Sequence, residues 1–498
     1  MQGRRRARRE PRPLEVARAE RAARGDLARR VPSMSARKPV GRVFVGLIVF
    51  CVVLSGVGAL AGGAFGSVWY GICGLCAVLG LVRVIVCGVA LWGGPLSGHP
   101  LPMDVEIEAA PVWSILVALY READCVAGLL EALARLQWPP QCLDLIFVCE
   151  ADDAPTIAAL EALRQTQSAR HRFRLVLVPA GGPRTKPHAL QTALPFVEGR
   201  FVSVYDAEDR PDPSQIRAAF AAFVSGADNL AVVQAPLVAC NDTESWIAAQ
   251  FARDYAVWFR VVLPAFARLS GLLPLGGTSN HFRTQVLRDI GGWDPYNVTE
   301  DADLGVRLAR HGYGCGLIAP PTWEEAPPRV AAWVKQRGRW IQGHIQTVSV
   351  HARTPLRLCQ QLGARGTLAF VVGLATGPMS AALTLPCTLA LMCQLWRADA
   401  GDLPAGWVIL PWAIGATGHI LATLIACHRD GRHRLLTTLP TLPLYHLLQA
   451  LAALRAFWRI IFTPSVWDKT DHGAAARRGK GGSKSQTAKQ QGETLWSM

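Results

Sequence analysis

Two apolar runs, Val43–Ala61 and Val68–Trp92, each supply close to the roughly 20 residues that an α-helix needs to cross a bilayer. A chain carrying them is tied to a membrane, and its polar middle is held at one face. Further apolar stretches come at Leu368–Trp396, interrupted by Gly377-Pro378, and at Trp407–Cys427. Half of the 498 residues are hydrophobic, a share suited to several membrane spans. Basic residues precede the first run and recur in His428–Arg434, so the positive-inside rule puts both in the cytoplasm. Two crossings then leave residues 103–353 cytoplasmic. Leu435–Phe462 contains Pro440, Pro443, Arg455 and Arg459. It is expected to be a broken, partly re-entrant or interfacial segment that keeps the C-terminal tail cytoplasmic. The expected location is a multi-pass protein of the cell inner membrane with both termini inside.

The divisions that follow are a basic disordered tail (1–42), two spans (43–95), a cytoplasmic domain (103–353), a second membrane region (366–462) and a cytoplasmic end (463–498) made of the element Trp467-Asp468-Lys469-Thr470-Asp471-His472-Gly473 and a disordered basic tail. The formal charge is +15, weighted to the two ends. The first tail is rich in Arg, Ala and Pro and poor in large apolar residues, the composition of disorder. Its charge suits anionic lipid headgroups. A start of translation at Met34 would leave only a short basic leader. Nucleic acid is not an expected partner, because no aromatic residues are interleaved and no fold follows at once. The thirteen cysteines are scattered without a framework of paired spacings. Cys73 and Cys76 form a C-x-x-C inside an apolar run and read as small membrane residues.

Residues 103–353 have soluble composition and alternate between strand and helix patterns. Strands are expected at Trp113–Leu119, Leu143–Cys149, Arg174–Val178 and Phe201–Tyr205, with helices from Val126, Pro155 and Pro187 between them. That rhythm implies an α/β fold with a doubly wound, mainly parallel sheet. Chemistry gathers where the strands end. The first runs into Tyr120-Arg121-Glu122, the second into Glu150-Ala151-Asp152-Asp153. After the third comes Gly181-Gly182-Pro183-Arg184-Thr185-Lys186, and the fourth ends in Asp206-Ala207-Glu208-Asp209. Carboxylates this close repel one another and favour a bound cation or a raised pKa. Hard oxygen ligands suit Mg²⁺ or Mn²⁺. Neither a P-loop nor a G-x-G-x-x-G follows the first strand, which disfavours the corresponding nucleotide folds. Further on stand a glycine-led polar loop, Leu275–Arg283, then Thr299-Glu300-Asp301 at a helix start that Thr299 or Asn297 is placed to cap, and Gln336-Arg337-Gly338-Arg339-Trp340.

In that order the motifs resemble the membrane-integrated family 2 glycosyltransferases, relatives of cellulose, chitin, hyaluronan and poly-N-acetylglucosamine synthases. The likeness covers roughly Val112–His351 and the flanking spans. It implies a GT-A-like sheet domain flanked by transmembrane α-helices. It also implies an inverting, metal-dependent transfer of sugar from a UDP- or GDP-linked donor to a growing β-linked polysaccharide, with export or accessory subunits as further partners. A single addition to a lipid-linked or short acceptor is the alternative, and a non-catalytic scaffold is a remote one.

By the same resemblance, Asp206 and Glu208 match the metal-holding D-x-D, with Glu in place of the second Asp. Asp209 is either an extra ligand or an orienting group. Glu150, Asp152 and Asp153 compete to recognise the base, since the family's Asp-Asp-Gly is absent. Tyr120 lines the base, and Glu122 and Lys186 lie by the nucleotide. Asp301 matches the catalytic base, with Glu300 beside it. Gln336, Arg339 and Trp340, with Thr278 and Arg283 of the glycine-led loop, fall to the acceptor and diphosphate. His281 is as readily structural as ligand-binding. Glu324 and Glu325 receive no role, and Asp303 is expected to pair with Arg307 one turn on.

Overall fold

The computed structural model describes residues 10–38, 66–93, 110–167, 172–397 and 406–463. The expected span Val43–Ala61 and the element Trp467–Gly473 lie outside the described residues. Strands β1 (Trp113–Leu119), β2 (Leu143–Glu150), β3 (Arg172–Val178) and β4 (Phe201–Tyr205) pair in parallel in the order β3-β2-β1-β4. They read as near-continuous apolar runs because both faces of the sheet are covered. Leu116, Ile146, Val202 and Val204 share one core with Leu190 and Ala193 of helix Lys186–Ala193. Ile115, Val117, Phe147 and Phe201 share the other with Leu129 and Leu133 of helix Val126–Ala134 and Phe223 of helix Gln215–Ser225.

The chain steps outward from β1 to β3 and then returns to β4 on the opposite side of β1. This reversal opens a crevice at the carboxyl ends of β1 and β4, where ligands bind in such sheets. Here it presents Tyr120 and Asp206. A short strand β5 (Arg210–Pro211) follows, then β6 (Leu230–Gln234), β7 (Leu237–Ala239), β8 (Asn280–Arg283), β9 (Gly314–Leu317) and β10 (Thr322–Glu324). β8 runs antiparallel to β4, pairing Asn280 with Val204 and Arg283 with Phe201. It therefore begins beside the crevice and ends at the far edge of the sheet. β6 and β9 extend this seven-stranded sheet, while β5, β10 and β7 form a second, small one.

Residues 10–38 are not disordered as their composition suggests. They form helices Pro13–Ala23 and Asp26–Arg30 and a turn at Pro32–Met34, folded against the α/β domain. Val16, Glu20, Ala23 and Leu27 recur near helical spacing and are buried. Apolar burial thus outweighs the basic composition.

Among the described residues three helices are long and apolar enough to cross a membrane, Tyr70–Trp92, Pro355–Leu389 and Ile409–Asp430. Two helical stretches widen into π turns, Trp258–Val262 and, inside the second of these helices, Val371–Ala375. After a 3₁₀ stretch at His433–Thr441, helix Leu442–Phe462 lays Ala452, Ala453, Ala456 and Phe457 on Ile341 and Ile345 of helix Val330–His351.

Helix Glu300–Arg310 meets the segment 272–275 at Gly305, where an added Cβ would run into the carbonyl oxygen of Leu273. Backbone cannot yield as a side-chain tip can. Gly305→Ala should destabilise the domain by about 1–3 kcal/mol, read as a lower thermal midpoint in detergent. An unchanged midpoint would show that the helix is not seated against this carbonyl.

Candidate active site

β1, β2 and β4 each lead into a side chain that lines the crevice, and the loop after β3 supplies Arg184. Tyr120 follows β1, and the Arg121 and Arg184 guanidiniums lie 5.0 and 6.0 Å from its ring centre. Arg184 also donates to the Tyr120 hydroxyl (3.1 Å) and to Asp152 (2.6 Å). Glu150 ends β2, and burial pushes its pKa up to about 7, against the pull of Arg184. Glu122 accepts from the Tyr120 amide at 3.3 Å. These residues wall a cleft of about 130 Å³ that ends at Lys186, Asp206, Glu208 and Arg339.

A second cavity, of about 400 Å³, starts at those same four residues and extends between the three candidate membrane-spanning helices. Asp301, Glu300, Thr278, Gln336 and Trp340 line it, and none of these five lines the cleft. Trp340 stacks on Tyr255 with ring centres 6.1 Å apart and planes 12° from parallel. Deeper in, the wall includes Val82, Val86, Val372 and Ala381.

The wall between the two spaces is an electrostatic knot. Lys186 Nζ contacts Asp206 and donates to the Gly277 carbonyl at 2.6 Å. Burial would lower the Lys186 pKa, but Asp206 and then Glu300 outweigh it and hold the ammonium charged. Thr185 caps the helix that begins at Lys186, accepting from the His188 amide at 3.3 Å. Asp206 and Glu208 face both spaces, whereas Asp209 lies fully buried behind them. Asp209 accepts from the Asp206 amide (2.7 Å) and from the Thr278 hydroxyl. Burial first, then Asp206 and Glu208, raise its pKa. It therefore orients the turn.

Asp301 and Glu300 begin helix Glu300–Arg310, where the helix dipole favours anions. Asp301 accepts from the Ala302 amide at 2.8 Å. Burial nevertheless raises Asp301 to about 6, and burial together with Asp301 raises Glu300 to about 8. Thr299 makes no side-chain cap. Its hydroxyl is buried without a hydrogen-bond partner against Gly343, and Asn297 Oδ1 instead accepts from the Thr299 amide at 3.1 Å.

Two expected site residues stand elsewhere. Arg283 donates to the carbonyls of Leu230 and Phe223, both at 2.8 Å, because antiparallel β8 carries it to the far edge of the sheet. Asp153 turns inward to accept from the Arg121 amide at 2.5 Å, fixing the left-handed Arg121 (φ 54°) at the end of β1. Asp152 sits at the exposed rim with Arg184. His281 is structural: its Nδ1 lies 2.6 Å from Ser203 Oγ, and burial lowers its pKa to about 3. Asp303 pairs with Arg307 at 2.7 Å, as expected, and also with His351 at 3.0 Å.

Sequence reasoning missed Arg184, although it stands in the loop between β3 and Lys186. It also missed Arg337, whose guanidinium lies 5.3 and 4.8 Å from the Trp333 and Trp340 ring centres and donates to Asp254 at 2.8 Å. The Trp-x-x-x-Arg-x-x-Trp spacing, one helical face, was the available signal. Glu324 of β10 lines the larger cavity as well.

Residues 201–426 match the family described as "Glycosyl transferase family group 2". A β-monoglucosyldiacylglycerol synthase from Nostoc is 27% identical over 310 residues, 61% of this chain and 62% of the relative, so the chain spans less than two thirds of that protein's length. The cellulose synthase 1 catalytic subunit (UDP-forming) of Komagataeibacter xylinus is 25% identical over 269 residues, covering 51% of this chain and 34% of that one. In fold, the chain is similar to a mannosyltransferase from Pyrobaculum calidifontis, solved in complex with GDP-Man and Mn²⁺. The TM-score is 0.50 at 19% identity, over 78% of this chain and 99% of that one.

The raised Glu300 pKa has a stability consequence with a definite sign. An unfolded Glu titrates near 4.3, and the folded one near 8. The proton is held more tightly in the fold, so this group's stabilising contribution is present at low pH and is lost as pH rises to about 8. Glu300→Gln should raise the thermal midpoint more at pH 8 than at pH 5. Equal gains at both values would show that Glu300 titrates normally.

Proposed function

We propose that this chain, whose residues 201–426 match the family 2 glycosyltransferase model and whose fold is GT-A-like, transfers a sugar, with inversion, from a nucleoside-diphosphate sugar to a hydroxyl of a lipid-linked acceptor at the cytoplasmic membrane face. The observation that carries this reading is the division of the site by one wall. The cleft ending at Lys186, Asp206, Glu208 and Arg339 suits a nucleoside diphosphate, with Tyr120 and Glu150 at its base end. Asp301 opens only on the other side. The acceptor hydroxyl and the leaving diphosphate then lie on opposite sides of the anomeric carbon, the arrangement of a direct displacement.

In that displacement Asp301 takes the proton of the attacking hydroxyl, whose own pKa is far too high for it to ionise unaided. Lys186 and Arg339 offset the charge that develops on the diphosphate. Asp206 and Glu208 are the pair that would hold a divalent cation, with Asp209 orienting them. Among the described residues no group of three or more His, Cys, Asp or Glu is gathered to hold a metal. A two-carboxylate site therefore needs oxygens of the substrate to complete it, as Mg²⁺ commonly does. A bound cation would supply further neutralisation of the leaving group.

The apolar wall supports the lipid-linked acceptor, since Val82 and Val86 come from the span Tyr70–Trp92 and Val372 and Ala381 from the span Pro355–Leu389. The growing β-linked glycan stands as a second reading, supported by the Trp340 and Tyr255 rings, whose flat faces suit a sugar ring.

Membranes supplied with radiolabelled UDP- and GDP-sugars should incorporate label only with Mg²⁺ or Mn²⁺, and EDTA should stop it. Activity that survives EDTA would remove the metal role. Label extracted into organic solvent marks a glycolipid, and label precipitated by ethanol marks a polymer. Asp301→Asn should lower transfer by about 10²–10⁴-fold with nucleotide affinity retained. The wild-type rate should fall as pH drops through about 6, where Asp301 takes up a proton.

A further inference from the structure

The N-terminal arm, residues 10–38, lies outside the family-matched segment yet reaches both loops that build the site. Its first helix packs on helix Lys186–Ala193 and on β3. From that helix Glu20, only 2% exposed, contacts Arg24 Nε and lies 3.2 Å from His188 Nε2. The loop from Gly181 to Arg184 is pressed against this group. A Cβ on Gly182 would stand 2.7 Å from Glu20 Oε1, and one on Gly181 (φ 118°) would stand 3.3 Å from Arg24 Nη2. The same loop ends in Arg184 and Lys186, two of the cations that line the cleft.

The arm's second half holds the other loop. Tyr296 donates its hydroxyl proton to the Arg24 carbonyl (3.0 Å), and Leu27 packs at Gly291. The Ala36 amide donates to Asp294 (2.5 Å), and Arg353 donates to the carbonyls of Ser35 (2.8 Å) and Lys38 (2.7 Å). Five residues after Tyr296 stands Asp301. The two loops also touch directly, Thr185 Oγ1 donating to the Pro295 carbonyl at 3.1 Å.

A buried carboxylate is costly unless its partners are fixed, and an apolar side chain would anchor the helix more cheaply. We propose that Glu20 is a positioning residue of the donor site. Through Arg24, His188 and the Gly181–Gly182 turn it holds the loop at which Arg184 and Lys186 face the nucleoside diphosphate. This rests on the donor reading of the cleft, and the measurements separate the two.

The test uses the full chain in nanodiscs, with UDP and GDP in the presence of Mn²⁺ as binding probes and with KM for donor and acceptor measured separately. Glu20→Ala should weaken nucleotide binding and raise donor KM by about 10–100-fold, the usual effect of losing a group that orients a ligand. Acceptor KM should stay within twofold, and Glu20→Asp should restore part of the loss. Tyr296→Phe loosens the arm at its other anchor without touching the cleft, and should raise donor KM by a smaller factor. It keeps the question open to measurement if Glu20→Ala fails to fold. A lowered thermal midpoint with unchanged nucleotide affinity in both variants would overturn the proposal and leave the arm a structural brace. Failure of the wild-type chain to bind either nucleotide would instead count against the donor reading itself.

Discussion

The ion pair of Lys186 with Asp206, closed by the Gly277 carbonyl, is the contact on which the rest of the site hangs. It ties together the first residue of a helix, the end of β4 and the glycine-led loop, three pieces that sheet topology alone would leave adjacent but unregistered. It also separates the two spaces. On one side are groups suited to a nucleotide, and on the other a carboxylate held at a helix N-terminus with its pKa raised by burial. Because acidic groups crowd both sides, the ammonium stays charged despite its burial. Removing either partner would leave the other as an uncompensated charge in a confined place, so the pair is a constraint as well as a bond.

Much of this was legible in the residues. The doubly wound sheet followed from four apolar runs alternating with helical patterns, and the crevice from the acids and Tyr120 at the strand ends. Spacing could not tell which members of an acidic cluster face outward. Glu150 and Asp153 are three residues apart, yet one lines the cleft and the other turns back to an amide of the neighbouring strand end. Likewise Asp206 and Glu208 face the site while Asp209 supports them from behind. These outcomes depend on tertiary partners that lie tens of residues away. Arg283 was misplaced for a different reason. A loop and an antiparallel strand begin alike in sequence, and only the pairing of Arg283 with Phe201 sends its side chain to the other end.

The N-terminal segment was misread because composition was weighed above periodicity. Val16, Glu20 and Ala23 follow one another at four and three residues, the signature of a buried helical face, and Leu27 of the next helix is buried with them. Its excess of arginine occupies the opposite face. Local charge and long-range burial act on different sides of the same helix, so the first does not decide the second.

The π turns at Trp258–Val262 and Val371–Ala375 both contribute to the wall of the larger cavity, through Trp258, Phe259 and Val262 on one side and Val372 and Gly373 on the other. A π turn carries an extra residue relative to an α turn, and each residue of a helix advances the side-chain direction by about 100°. The bore is therefore governed by residue number as well as by side-chain size. Point substitutions would trim the cavity by degrees, whereas losing one residue from either turn would re-aim every side chain beyond it.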